Sequence, residues 1–145
     1  MKAFGVIWMN CFLLGMHQLV VAAQSDCPLL SVPECQCTSS FNRYYYMRCE
    51  DYTARSIPQF SASNRTFTSL TFRRSSIGVV EQDAFAQVRL QVLNLNSLGI
   101  QDVSSQAFNS LGATLQELYL DSNNISILPG SCFHFVSSRT VIVFK

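Results

Sequence analysis

Apolar positions between residues 67 and 136 recur in a single register. Leu90, Leu93, Leu95, Ile100, Val103, Phe108 and Leu111 return 25 residues later as Leu115, Leu118, Leu120, Ile125, Leu128, Phe133 and Val136, and stand 23 residues earlier as Phe67, Leu70, Phe72, Ile77, Val80, Phe85 and Val88. Seven positions held in register across three copies mark an internal repeat. In each copy two apolar residues alternate with their neighbours (Leu70/Phe72, Leu93/Leu95, Leu118/Leu120), a period of two that turns both side chains to one face of a short strand. The next apolar residue comes five positions on, and a non-periodic stretch then ends in Phe85, Phe108 or Phe133. A chain with this pattern coils once around a core and returns to lay down a parallel neighbour strand. Each coil buries its apolar face only against the next, so the pattern predicts a solenoid of three coils, 67–89, 90–114 and 115–136. Three coils are about the minimum for such an array, which predicts marginal stability.

Residues 1–23 follow a different pattern: Lys2, then an apolar stretch through Phe12, Leu13, Leu14, Leu19, Val20 and Val21, then Ala22-Ala23 before the polar Gln24-Ser25-Asp26. This charged, apolar, small-residue order reads as a secretory signal peptide cleaved after Ala23. The competing reading is a retained anchor, disfavoured because Asn10, His17 and Gln18 interrupt the run. The remaining chain holds no stretch of the roughly 20 apolar residues that span a bilayer. Export places the cysteines in an oxidising compartment. Cys11 leaves with the signal; Cys27, Cys35, Cys37 and Cys49 form a cluster and Cys132 stands alone, which predicts two disulfides and one free thiol. Four cysteines allow three connectivities, and spacing does not choose among them.

The repeats resemble the leucine-rich repeat family, whose unit reads L-x-x-L-x-L-x-x-N-x-L within roughly 20 to 29 residues. The segment Leu115-Gln-Glu-Leu118-Tyr-Leu120-Asp-Ser-Asn123-Asn-Ile125 fits at every fixed position. The earlier copies depart at the asparagine, with Leu98 in the second coil and Ser75 in the first. The family uses that asparagine to tie neighbouring coils through backbone hydrogen bonds, so the resemblance implies a weakened ladder. Cys27-x7-Cys35-x-Cys37-x11-Cys49 running into Arg55-Ser56-Ile57-Pro58 resembles the cysteine-rich N-terminal cap of extracellular members, here residues 24–60. That resemblance implies pairing of Cys27 with Cys37 and of Cys35 with Cys49. The implied fold is an α/β solenoid with a parallel β-sheet on its concave face and a disulfide-bonded cap, to which the run Tyr44-Tyr45-Tyr46-Met47 adds a strand beside the first repeat.

Composition narrows the function. Charged residues are 13% of the chain against roughly 25% in an average globular protein, and 48% are hydrophobic, so the chain should fold. Without Lys2, acidic and basic residues balance, and no basic stripe exists to capture nucleic acid. Cys132 and His134 could suggest a thiolate and its base. The repeat register places Cys132 where Ala84 and Ala107 sit, a small buried slot, so no catalytic pair is assigned. The cap cysteines lack zinc-finger spacing. No phosphate loop, calcium loop or cofactor motif is present, and the sequence reads as non-enzymatic.

Two glycan-acceptor sequences stand at Asn64-Arg65-Thr66 and Asn124-Ile125-Ser126. The family resemblance puts ligand binding on the concave sheet, where the register sets Ser69, Thr71 and Arg73, then Val92, Asn94 and Asn96, then Glu117, Tyr119 and Asp121. Thr71, Asn94 and Tyr119 should form one row and Arg73, Asn96 and Asp121 another, with an ordinary solvated face as the competing reading. The resulting expectation is a secreted or cell-surface module that binds a protein ligand or receptor. Residues 137–145 read as an incomplete fourth repeat or tail, with Val141 to Phe144 where a further strand would begin and no second cap. This supports an alternative expectation: a truncated form of a longer, membrane-associated receptor with no independent binding, or a chain that self-associates through its open end.

Overall fold

The computed structural model describes residues 27–29, 31–41, 43–134 and 139–144. The expected signal peptide and Val136 lie outside the described residues. A six-stranded sheet runs the length of the described chain, built from β1 (Cys35–Ser40), β2 (Tyr44–Glu50), β3 (Thr66–Arg73), β5 (Arg89–Asn94), β7 (Glu117–Tyr119) and β8 (Val141–Val143), in that order. A second, two-stranded sheet pairs β4 (Val79–Val80) with β6 (Asp102–Val103). β1 and β2 form an antiparallel hairpin, and every later pairing in the large sheet is parallel. Parallel neighbours need a crossover of a dozen or more residues, which each coil supplies.

The period-two pairs become vertical columns. Met47 lies beside Leu70, Leu70 beside Leu93, and Leu93 beside Leu118. All four are fully buried. Burial of one such side chain contributes about 1.5–3 kcal/mol, so the column is a principal source of stability. The coil geometry also extends into the cap: Met47 and Cys49 hold the places of Leu70 and Phe72, and Ser56 bridges to Val79 as a further coil would. A methionine and a disulfide-bonded cysteine thus stand where the first repeat carries leucine and phenylalanine. The structure joins Cys27 to Cys37 and Cys35 to Cys49, fixing the hairpin over the sheet end.

After β2, β3, β5 and β7 the chain turns through one left-handed residue: Asp51, Arg74, Ser97 and Ser122 have φ of 57°, 48°, 57° and 58°. This conformation is uncommon for residues with a Cβ, and its recurrence at one place in four coils shows that stacking of the coils holds it. The next residue points inward at the clamp position, occupied by Tyr52, Ser75, Leu98 and Asn123. Asn123 accepts hydrogen bonds from the Leu98 and Ile100 amides at 3.0 and 3.1 Å and donates to the Leu95 and Leu120 carbonyls at 2.7 and 2.9 Å. Ser75 accepts one bond from the Tyr52 amide at 3.1 Å. Leu98 is buried and clamps nothing through its side chain, leaving the Ile77 amide to bond its backbone carbonyl at 2.8 Å.

On the return side of the coils, helical content is two 3₁₀ turns, Asn109–Leu111 and Gly130–Phe133, with no α-helix among the described residues. The expected α component is therefore reduced to single turns, because a coil of this length leaves too few residues for a self-supporting helix. A phenylalanine column fills this side: Phe60, Phe85, Phe108 and Phe133 follow one another at centroid separations of 5.9, 5.9 and 6.4 Å. Phe85, Phe108 and Phe133 lie nearly parallel, with interplanar angles of 14° and 4°.

Candidate functional site

The side chains that do not enter the core along β2, β3, β5 and β7 share the open face of the sheet. Register pairing aligns Ser69, Val92 and Glu117 in one row and Thr71, Asn94 and Tyr119 in a second. Arg73, Asn96 and Asp121 lie beyond the residues paired between β3, β5 and β7. Strands about 4.8 Å apart make each row a contiguous surface. The cap strand expected beside the first repeat is present as β2 and prolongs this face, although the sequence did not name its outward residues. Tyr46 lies beside Ser69, Arg48 beside Thr71, and Glu50 beside Arg73. The inward alternation of Met47 and Cys49 was the available signal.

Several of these polar groups are occupied within the chain. The Tyr119 hydroxyl donates to Glu117 Oε2 at 2.7 Å. The Asn96 amide N–H donates to Asn94 Oδ1 at 3.0 Å, and the Asp121 amide N–H donates to Asn96 Oδ1 at 2.7 Å. Asp121 Oδ1 is buried without a hydrogen-bond partner among the described residues. Arg73 reaches Glu50 at 3.9 Å, while Arg74 binds Asp51 at 2.8 Å and Glu50 at 3.5 Å. The bond from Arg74 lowers the Asp51 pKa. Exposed pairs of this kind contribute little to stability and serve here to neutralise that edge.

The hydrogen bond to Glu117, with lesser help from burial and from the carboxylate charge, raises the Tyr119 pKa above its usual value. The neutral phenol is the bonded form, so any stability linked to it is present below the unfolded tyrosine pKa and is lost as pH rises through the folded one. Glu117→Gln should move the Tyr119 titration down toward the ordinary tyrosine value. Tyrosinate absorbance in a pH titration checks this, and an unchanged titration contradicts the assigned bond.

Cys132 is fully buried and His134 is exposed. They point to different environments, and burial raises the thiol pKa, the opposite of an activated nucleophile. Labelling of Cys132 by a thiol reagent should be on the order of 100-fold slower in the native protein than in denaturant. Equal rates would place the thiol at the surface. Among the described residues no group of three or more His, Cys, Asp or Glu side chains is placed to hold a metal ion. No described helix is long and apolar enough to cross a membrane. Asn64 and Asn124 are both exposed, Asn64 before β3 and Asn124 in the turn after β7, where its amide N–H donates to the Ile100 carbonyl at 2.8 Å.

Comparison with known proteins agrees with this architecture. A family model described as leucine rich repeat matches residues 88–142. Over 100 residues the chain is 32% identical to Chaoptin of Drosophila melanogaster, a match that covers 69% of this chain. The chain spans 7% of the length of that relative.

Proposed function

The chain belongs to the leucine-rich repeat family, and from that premise we propose that it is a non-catalytic recognition module, secreted or held at the cell surface, that binds a protein ligand on the open face of its sheet. The observation that carries this reading is the alignment of outward polar and aromatic side chains in rows across four adjacent coils, cap included. A solenoid presents such a face as one continuous, rigid platform, which lowers the ordering cost of binding. Tyr119 is of the residue type most often found at binding hot spots, and its bond to Glu117 fixes its ring in place.

Two disulfides in a small cap favour an oxidising compartment. Exposure of Asn64 and Asn124 is compatible with glycosylation at both. The separation of buried Cys132 from exposed His134 favours binding over catalysis.

The test is a screen of the secreted protein against purified extracellular domains, followed by titration of each hit with face variants. Tyr119→Ala should weaken binding by 10-fold or more, corresponding to about 1.4 kcal/mol or above. Binding that tolerates changes at Thr71, Asn94 and Tyr119 but is lost on changing Gln59 or Gln87, which line a hollow beside Phe60 on the return side, would assign recognition to the other side of the coils.

A further inference from the structure

The open face is uneven in what it offers a ligand. In the second and third coils the amide and carboxylate groups of Asn94, Asn96 and Glu117 are engaged within the chain. Where the cap meets the first coil the situation reverses. A concavity of about 340 Å³ opens there, lined by Gln36, Thr38, Tyr46, Arg48, Ser69 and Thr71. None of these six side chains makes a hydrogen bond or ion pair with another described residue. The buried Met47 also borders the hollow. Arg48 is exposed and is the one charged residue of the lining, which contains no carboxylate. The nearest acid on the same strand face, Glu50, is held by Arg73 and Arg74.

We infer that this hollow receives a glutamate or aspartate side chain of the protein ligand, with Arg48 as its counter-charge and the surrounding hydroxyls and amide as hydrogen-bond partners. The inference rests on the open face being a protein-binding surface and names the chemistry of its cap end. A guanidinium pairs a carboxylate through two parallel N–H bonds, and the neutral donors around it complete the acceptor sites that a carboxylate leaves unfilled. A sulfated glycan fits less well. Such a polyanion needs several cations along its length, whereas the row leading away from Arg48 continues through Thr71, Asn94 and Tyr119 and carries none.

The experiment uses isotope-labelled secreted protein and a capped pentapeptide with one central glutamate, compared with its glutamine counterpart and with a heparin-derived tetrasaccharide. Nuclear magnetic resonance titration should show the glutamate peptide perturbing the Arg48 side-chain N–H and its neighbours Gln36 and Thr71, with a Kd near or below about 1 mM. The glutamine peptide should bind at least about five-fold more weakly. Arg48→Ala should abolish the difference between the peptides, and Arg48→Lys should restore part of it. Equal binding of the two peptides, perturbations located elsewhere, or tighter binding of the tetrasaccharide at Arg48 would each overturn the inference. If Arg48→Ala is silent while Tyr119→Ala impairs ligand binding, this assignment falls and the recognition module stands. If neither matters, both fall.

Discussion

Phe108→Ala is expected to cost about 3–5 kcal/mol of folding free energy, the range for removing a large aromatic side chain from a packed core. Phe108 is fully buried and lies between two parallel rings, Phe85 at 5.9 Å and Phe133 at 6.4 Å. The alanine leaves a gap that neither neighbour can close without abandoning its own place in the column, so lost transfer energy and cavity cost add. Because each coil is stabilised by its neighbours, the damage should spread to both adjoining coils. Urea denaturation followed by circular dichroism measures the effect, and a three-coil array with little stability to lose should show it as a large drop in midpoint. Phe108→Leu should recover about half. A cost under about 1 kcal/mol would mean that the column contributes no continuous packing.

Asn123→Ala should destabilise by about 2–4 kcal/mol, although the side chain removed is small. The loss exposes no cavity of comparable size; it strands backbone groups. The amides of Leu98 and Ile100 lose their acceptor, and the carbonyls of Leu95 and Leu120 lose a donor. Asn123→Asp separates the two halves of the clamp, since a carboxylate still accepts from the two amides but cannot donate to the carbonyls. It should fall between wild type and alanine. Ser75→Ala, which removes one accepted and one donated bond at the equivalent place, should cost about 1 kcal/mol, and this ranking is the sharper check. Equal effects at Asn123 and Ser75 would contradict the role of the amide as the tie between coils.

The division between these two positions also shows what a single sequence can reveal. The coil register, the sheet-facing pairs and three of the four stacked phenylalanines follow from spacing alone, because strand periodicity and burial act directly on residue type. Phe60 was not legible. Its coil opens with Met47 and Cys49 in place of leucines, and the disulfide requirement hides the apolar pattern. The outward positions Tyr46 and Arg48 were obscured for the same reason. The row Thr71, Asn94, Tyr119 and the outward positions Ser69, Val92 and Glu117 were legible from register, but their internal hydrogen bonds were not, since those depend on side-chain reach between residues two positions apart on one strand face. The return side was least legible: an α/β label carries an expectation of helix, whereas each coil here turns back through short strands or 3₁₀ turns.

The most direct test of the open face as the recognition surface is a glycan placed in its centre. Asn96→Thr creates an acceptor sequence at Asn94, whose Oδ1 is engaged by the Asn96 amide. A full branched glycan there stands in the middle row between Thr71 and Tyr119. Ligand affinity of the secreted variant, measured before and after trimming its glycans to the first sugar, decides the question. Loss of binding that is recovered on trimming, with the core unchanged by circular dichroism, is the predicted result. Full affinity with Asn94 glycosylated would contradict it and place recognition elsewhere on the solenoid.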